Sequence, residues 1–323
     1  MDWGLVMDWQ HHRVVVVRAA AGMAAAVTVA ASLAGCTPTK SPKDQLAEIT
    51  AVTGNQIFAM DVTVAGATKR DNVSVSTTRD GTTGSYALND GKVASQGSFD
   101  PPVGVLMDVS AFPSIDTLTE LAKTTHKEED NCAPTTARAA TTPSGAIATW
   151  VECNNRQDHP AVDGKATING EPLLIPALDL TTAQSYTAID QAVTQLFGTP
   201  NISDILYDVE SRRIVISSGE TINTQGEPCH ASIGATTTQP TTPLPLTCSG
   251  MAGPPFAIND YGPDTIANTI TSLLTSPHID VAAISGITFT GGDNGTLHWE
   301  ANSHNLADRK DKKQYLEGNI PKR

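Results

Sequence analysis

The sequence predicts an α+β fold, in which a mainly antiparallel β-sheet carries three or four packed amphipathic helices in two lobes. Three observations support this prediction. Short stretches of alternating polarity are separated by Gly, Asp and Asn turns. A few longer stretches place apolar residues at helical spacing. Four cysteines flank two segments that are typical of hairpins, so the lobes are expected to contain disulfide-stapled hairpins.

The chain begins with the three parts of an export signal, at residues 1–35. A basic region with Arg13 and Arg18 precedes an apolar stretch at 19–33, which is shorter than the roughly 20 residues that span a bilayer. Translation can start at Met1 or at Met7, because Met-Asp-Trp occurs at both positions. The stretch ends in the sequence Leu33-Ala34-Gly35-Cys36.

This ending resembles the lipobox of bacterial lipoproteins, and the Thr-, Ala- and Gly-rich composition is typical of an actinobacterium. The resemblance implies cleavage between Gly35 and Cys36 and lipidation of the Cys36 thiol. The alternative, an uncleaved membrane helix, fits the short apolar stretch less well. We therefore expect a tether at residues 36–42 and a protein anchored in the cell membrane through its lipid, on the extracytoplasmic side of the envelope.

The net charge of −13 excludes some classes of partner. A chain this acidic is a poor candidate for binding nucleic acid, and charge alone does not attract it to anionic lipid. Without residues 1–35 the chain has 288 residues, which suits one large domain or two ordinary ones.

The four cysteines after Cys36 are Cys132, Cys153, Cys229 and Cys248. Outside the cytoplasm they are expected to form two disulfides, for which three pairings exist. Proximity in sequence favours Cys132–Cys153 and Cys229–Cys248. A metal site is the weaker alternative, because the chain has no C-x-x-C pair.

The first lobe is predicted at residues 43–155. It begins with a helix at 43–52, and strands follow at 56–64, 72–78, 85–88 and 92–96. Turns are predicted at 79–84 and at Asn89-Asp90-Gly91. A second helix starts near Ile115, and the first cysteine pair then brackets a hairpin.

The second lobe is predicted at residues 166–303. Its strongest helix is capped by Thr181 or Thr182 and ends at Gly198, and another helix begins at Pro263. Strands are predicted at 213–217, 284–290 and 296–301, and residues 304–323 are assigned to a charged tail. Partial similarity between the two lobes is compatible with a duplication.

Residues 45–125 show a helix, a β-meander and then the segment 107–113, which leads into a helix. This order is similar to that of LppX/LprG-type lipoproteins. The resemblance implies a curved sheet over helices, around an apolar cavity that holds acylated lipids. The cysteines and the second lobe depart from that pattern.

No catalytic motif is found in the sequence. The motifs G-x-S-x-G and H-E-x-x-H, a phosphate-binding loop and a calcium loop are absent, and the acidic run Glu128-Glu129-Asp130 is interpreted as a solvated loop. We predict a non-enzymatic binding or accessory module that needs no cofactor. Its partner would be an envelope protein, a polymer or a lipid. The alternative function is that of a carrier for an amphiphile.

Overall fold

A computed structural model of the chain describes residues 40–64, 71–98, 103–155, 161–223, 228–244, 246–249, 253–276, 284–292, 295–303 and 316–323. Residues 39–323 form one compact unit. The signal segment, Gly35, Cys36 and most of the tether lie outside the described residues.

The described helices are α1 (Pro42–Thr53), α2 (Ile115–Glu128), α3 (Ala183–Phe197), α4 (Ile258–Tyr261) and α5 (Pro263–Thr275), with a 3₁₀ turn at Val109–Ala111. The strands up to residue 172 are β1 (Gln56–Ile57), β2 (Ala59–Val64), β3 (Asn72–Arg79), β4 (Thr82–Asn89), β5 (Lys92–Ser98), β6 (Met107–Asp108), β7 (Thr135–Thr141), β8 (Ile147–Cys153), β9 (Thr167–Ile168) and β10 (Glu171–Pro172). The later strands are β11 (Asn201–Asp208), β12 (Arg213–Ile222), β13 (Pro228–Thr236), β14 (Thr247–Ser249), β15 (Phe256–Ala257), β16 (Ile284–Gly291), β17 (Thr296–Ser303) and β18 (Leu316–Pro321).

The strands form two large sheets in which hydrogen-bonded neighbours are antiparallel. The first sheet has the order β10-β9-β8-β7-β2-β3-β4-β5. The second has the order β14-β13-β12-β11-β16-β17-β18, with β15 paired to β11. This arrangement of antiparallel sheets and packed helices confirms the α+β prediction.

Helices α1 and α2 cover one face of the first sheet. Because side chains alternate along a strand, Met60, Val62 and Val64 of β2 point toward the helices and are buried. Ile49 of α1 and Leu118 of α2 complete this core. Ala59 and Asp61 lie on the opposite face of the sheet, which is rich in small and polar side chains.

Helices α3 and α5 cover the second sheet. Tyr186 and Ile189 of α3 are fully buried, and the Tyr186 ring meets Phe289 of β16 edge to face, with centroids 6.3 Å apart. The same core also includes Ala148 and Trp150 from the first sheet. The second core therefore extends onto the far face of the first sheet.

The order of elements repeats along the chain. One series of elements occurs twice: a helix, a four-stranded meander, a second helix and three further strands. The first copy consists of α1, β2–β5, α2 and β7–β9, and the second consists of α3, β11–β14, α5 and β16–β18. The central pairs correspond, since β2 pairs with β7 and β11 pairs with β16. At the level of topology the second half thus duplicates the first. The disulfides do not follow this repeat, because Cys132–Cys153 brackets the β7–β8 hairpin whereas Cys229 lies on β13.

Two local predictions were wrong. The turn predicted at 79–84 contains only Asp80 and Gly81, both with positive φ, and Thr82 already pairs with Arg79. The predicted charged tail ends in a strand, because Leu316 and Ile320 of β18 pack on the core and pair with β17.

Candidate functional site

The cysteine predictions are confirmed in part. Cys132 and Cys153 form a disulfide with an S–S distance of 2.02 Å, and both residues are buried. Cys229 is also disulfide-bonded, and the backbone of Cys248 lies on the neighbouring strand β14 opposite Ala231. The Cys229–Cys248 pairing itself stays a prediction, and Gly35 and Cys36 lie outside the described residues.

The acidic run beside Cys132, interpreted above as a loop, begins within α2. Glu128 ends α2, and its carboxylate accepts a hydrogen bond from Lys165 over 2.6 Å. No group of three or more metal-ligating side chains is found in the part of the chain that the structure describes. In the same part, no helix is long and apolar enough to cross a bilayer.

A cavity of about 410 Å³ lies on the far face of the first sheet, the face turned away from α1 and α2. Strands β2, β3, β4, β7 and β8 form its floor, and Leu244 and Leu246 from the second half of the chain form part of its roof. Its lining comprises Phe58, Ala59, Asp61, Ser76, Ser85, Val103, Arg138, Ala140, Thr141, Thr142, Ala148, Trp150, Leu244 and Leu246.

The roof is held by backbone contacts between the two halves. Ile175 and Thr241 form a bridge with hydrogen bonds of 3.0 and 2.8 Å, and the Thr242 N–H donates to Asp163 Oδ1 over 2.9 Å. Val103 bridges to Asn223 in the same way. These contacts place the apolar roof over the sheet.

The floor carries an ion pair between neighbouring strands. Asp61 on β2 stands directly opposite Arg138 on β7. Arg138 Nε donates to Oδ1 of Asp61 over 2.6 Å, and its Nη2 donates to Oδ2 over 3.0 Å. This bidentate geometry is the strongest form of a guanidinium–carboxylate contact. Asp61 is 7% exposed, so its charge depends on Arg138 for compensation.

Glu152 and Trp150 on β8 extend the ion pair. The Trp150 indole N–H donates to Glu152 Oε1 over 2.6 Å, and Arg138 Nη1 lies 3.7 Å from the same oxygen. The guanidinium carbon lies 5.7 Å from the centre of the Trp150 ring, within range of a cation–π contact. The Asp61 charge, with a smaller contribution from Glu152, raises the pKa of Arg138 above its ordinary value. The guanidinium therefore stays charged at any physiological pH.

We call Asp61, Arg138 and Glu152 the buried charge cluster. It contains one cation and two carboxylates, each held by a fixed partner. Ser76 and Ser85, which pair across β3 and β4, add two hydroxyls to the floor. Among the described residues these two hydroxyls have no hydrogen-bond partner. The cavity thus combines an apolar roof with a polar floor, an arrangement that suits binding of a small ligand.

Sequence analysis did not identify this cluster. Its signal is one charged residue in each of three strands that are otherwise uncharged, namely Ala59–Val64, Thr135–Thr141 and Ile147–Cys153. The sequence does not show that β2 and β7 are neighbours, because 77 residues separate Asp61 from Arg138. His298 lies on β17, with its Nδ1 3.3 Å from Asn319 Oδ1.

No protein-family model matches the chain, and no curated protein matches it. Two of the solved structures with similar chains are of PCNA. One belongs to the PCNA2–PCNA3 complex of Sulfolobus tokodaii, at 11% identity over 86% of this chain and 95% of that chain, with a TM-score of 0.16. The other is PCNA of Thermococcus kodakaraensis, at 11% identity over 88% and 98%, with a TM-score of 0.19. TM-scores of this size carry no argument about fold or function.

Proposed function

We propose that this protein is a lipid-anchored envelope lipoprotein that acts as a non-catalytic binding module. Its ligand would be a small, largely apolar molecule taken into the cavity on the far face of the first sheet. The observation that carries the proposal is the cavity itself, with Leu244, Leu246 and Val103 above a sheet that holds the buried charge cluster.

The size and lining of the cavity support this function. Small-molecule sites have volumes of roughly 300–1,000 Å³ and are mostly apolar, with a few placed polar groups. A volume of about 410 Å³ lies at the lower end of that range. The charged groups on the floor, Asp61 and Arg138, are fixed to each other across neighbouring strands, which suits orientation of a ligand.

Fluorescence of the neutral apolar probe N-phenyl-1-naphthylamine tests this function. We expect saturable binding by the wild-type protein and loss of binding in Ala140→Phe, because the new ring fills the cavity that Ala140 lines. Ala94→Phe is the matched control, since Ala94 lies on β5 of the same sheet and does not line the cavity. Binding that is absent in the wild type, or unchanged in Ala140→Phe, contradicts the proposal.

The anchor is tested separately, by metabolic labelling with an alkyne-tagged palmitate in a bacterial host. The Leu33-Ala34-Gly35-Cys36 ending supports acylation of Cys36, and each buried CH₂ of such a chain contributes about 0.8 kcal/mol to membrane binding. We expect label in the wild type and in the neighbouring control Thr37→Ala, and none in Cys36→Ala. Label that persists in Cys36→Ala places the acyl chain elsewhere.

A second candidate function is that of a carrier for an acylated lipid, and the apolar roof favours it. The volume suits one short chain better than several long ones. Mass spectrometry of an organic extract of the purified protein distinguishes the two. A stoichiometric acylated lipid supports the carrier, and an extract without lipid rejects it.

A further inference from the structure

We infer that the cavity selects ligands by charge: it takes apolar molecules with a neutral hydroxyl or an amine, and it rejects those with a carboxylate. This inference rests on the proposed binding function and names the chemical class of its ligand. The inference is based on the buried charge cluster, in which the formal charges of one arginine and two carboxylates sum to −1. Asp61 and Arg138 line the cavity directly, and Glu152 accepts a hydrogen bond from the indole N–H of Trp150, which also lines it.

The net charge matters because this part of the molecule is largely shielded from water. Asp61 and Glu152 are 7% and 9% exposed, and the roof covers the floor. Charges in such a place interact more strongly than charges on the surface. An added carboxylate would meet one attractive charge and two repulsive ones, whereas an ammonium group would meet the reverse.

Arg138 is the feature that argues for the opposite preference, since about a third of its side chain is exposed. Two of its three nitrogens are already used, because Nε and Nη2 both donate to Asp61. The third, Nη1, faces Glu152 at 3.7 Å, which is too long for a hydrogen bond but close enough to neutralise charge. The guanidinium can donate to a neutral acceptor, but it has no unshared charge left for an anion.

The floor also provides groups that match a hydroxyl or an amine. The Ser76 and Ser85 hydroxyls line the cavity, and among the described residues they have no partner. Each can accept a hydrogen bond from a ligand O–H or N–H and can donate one in return. A hydroxyl or ammonium head group can form hydrogen bonds with these serines, while the chain of the ligand contacts Leu244 and Leu246 of the roof.

The experiment compares three ligands of one chain length, namely octylamine, 1-octanol and octanoate. Each competes with N-phenyl-1-naphthylamine for the full-length protein at pH 7 and low salt. We expect octylamine and 1-octanol to displace the probe at concentrations at least about tenfold lower than octanoate, the factor expected for one net charge near a partly buried site.

Two variants test whether the buried charge cluster is the cause. Glu152→Gln keeps an acceptor for the Trp150 N–H and brings the cluster to zero charge, so the preference for amine over carboxylate should fall by about tenfold. Glu128→Gln removes the same charge at an exposed site that does not line the cavity, and it should leave the preference unchanged.

The outcomes separate this inference from the proposed function. If the probe does not bind to the wild type, the proposed function fails. If the probe binds but octanoate competes as well as octylamine, the charge selection is wrong and the binding function stands. A preference that Glu152→Gln leaves unchanged also overturns the inference, because the selection would then have another origin. Probe binding by each variant shows that the cavity has formed.

Discussion

At the scale of single residues, Arg138 supplies the positive charge beside two carboxylates of the first sheet. Replacing it with Met leaves the buried carboxylates of Asp61 and Glu152 without a cation. Breaking a fully buried pair costs about 3–5 kcal/mol. Because Arg138 is about a third exposed, we expect Arg138→Met to lower the free energy of unfolding by roughly 2–3 kcal/mol. Urea denaturation at pH 7 measures this loss.

Arg79→Met is the control for this substitution. Arg79 is about half exposed and lies 3.6 Å from the almost fully exposed Asp80, so its removal should change stability by less than about 0.5 kcal/mol. Equal effects at the two arginines would show that the Asp61–Arg138 pair has no special role in the fold.

Asp190 in the middle of α3 and Asp179 just before that helix should respond to pH in opposite ways. Burial raises the pKa of Asp190, although a hydrogen bond from Asn259 partly opposes the shift, and its Oδ1 is buried without a partner. A carboxyl with a raised folded-state pKa destabilises the fold once it ionises. Asp190→Asn should therefore stabilise the protein at pH 7. The gain should disappear below the ordinary Asp pKa of about 4.

Asp179 shows the reverse effect. Two hydrogen bonds, from the hydroxyl and the N–H of Thr181, lower the pKa of Asp179. Its contribution to stability is complete above the ordinary Asp pKa and is lost as pH falls through the lowered value. Asp179→Asn should destabilise the protein at pH 7 and have little effect in strong acid. Thermal unfolding from strong acid to pH 7 measures both variants, and parallel curves would contradict the assignment.

At the scale of elements, the β7–β8 hairpin is the part of the first sheet that a disulfide closes. The bridge spans 21 residues, and a loop of that length contributes roughly 3 kcal/mol by restricting the unfolded chain. We expect the double variant Cys132→Ser/Cys153→Ser to lose about that much stability. Urea denaturation without reductant measures the loss. A double variant as stable as the wild type would mean that the hairpin packing alone sets the stability.

The helices could be predicted from the sequence because their apolar residues repeat with a helical period. Ile266, Ile270 and Leu273 of α5 are buried as expected. Strand β18 was missed because its two apolar residues give no clear pattern without their partner strand β17. The Asp80-Gly81 turn was predicted too long because the polar Thr82 and Thr83 resemble turn residues, although both belong to β4.

At the scale of the whole molecule, the pairing of distant strands was beyond prediction from the sequence. Ala59 of β2 pairs with Ala140 of β7, and Ile205 of β11 pairs with Phe289 of β16. Local patterns specify which residues form a strand and which face is apolar, but they do not specify the neighbour. The cavity and the buried charge cluster both depend on those pairings, so they became visible only in the structure.

The two halves should unfold together, because they share packing and hydrogen bonds. Trp150 of the first sheet is buried in the core of the second half, and the Ser144 hydroxyl donates to the Gln195 carbonyl across the two halves over 3.1 Å. A chain produced without residues 1–35 retains Trp150 and Trp299 as its tryptophans, one on each sheet. In Trp299→Phe the remaining Trp150 reports on the contact between the first sheet and the second core, and in Trp150→Phe the remaining Trp299 reports on the second sheet.

We expect the fluorescence of both variants to follow urea unfolding with a single transition that coincides with the loss of far-ultraviolet circular dichroism measured on the same sample. Each variant is compared with its own circular dichroism curve, since Trp150→Phe also removes the hydrogen bond to Glu152. Two separated fluorescence transitions within one variant, or a fluorescence midpoint that departs from the circular dichroism midpoint, would show that the halves fold independently. The roof formed by Leu244 and Leu246 could then open without unfolding of the sheet beneath it.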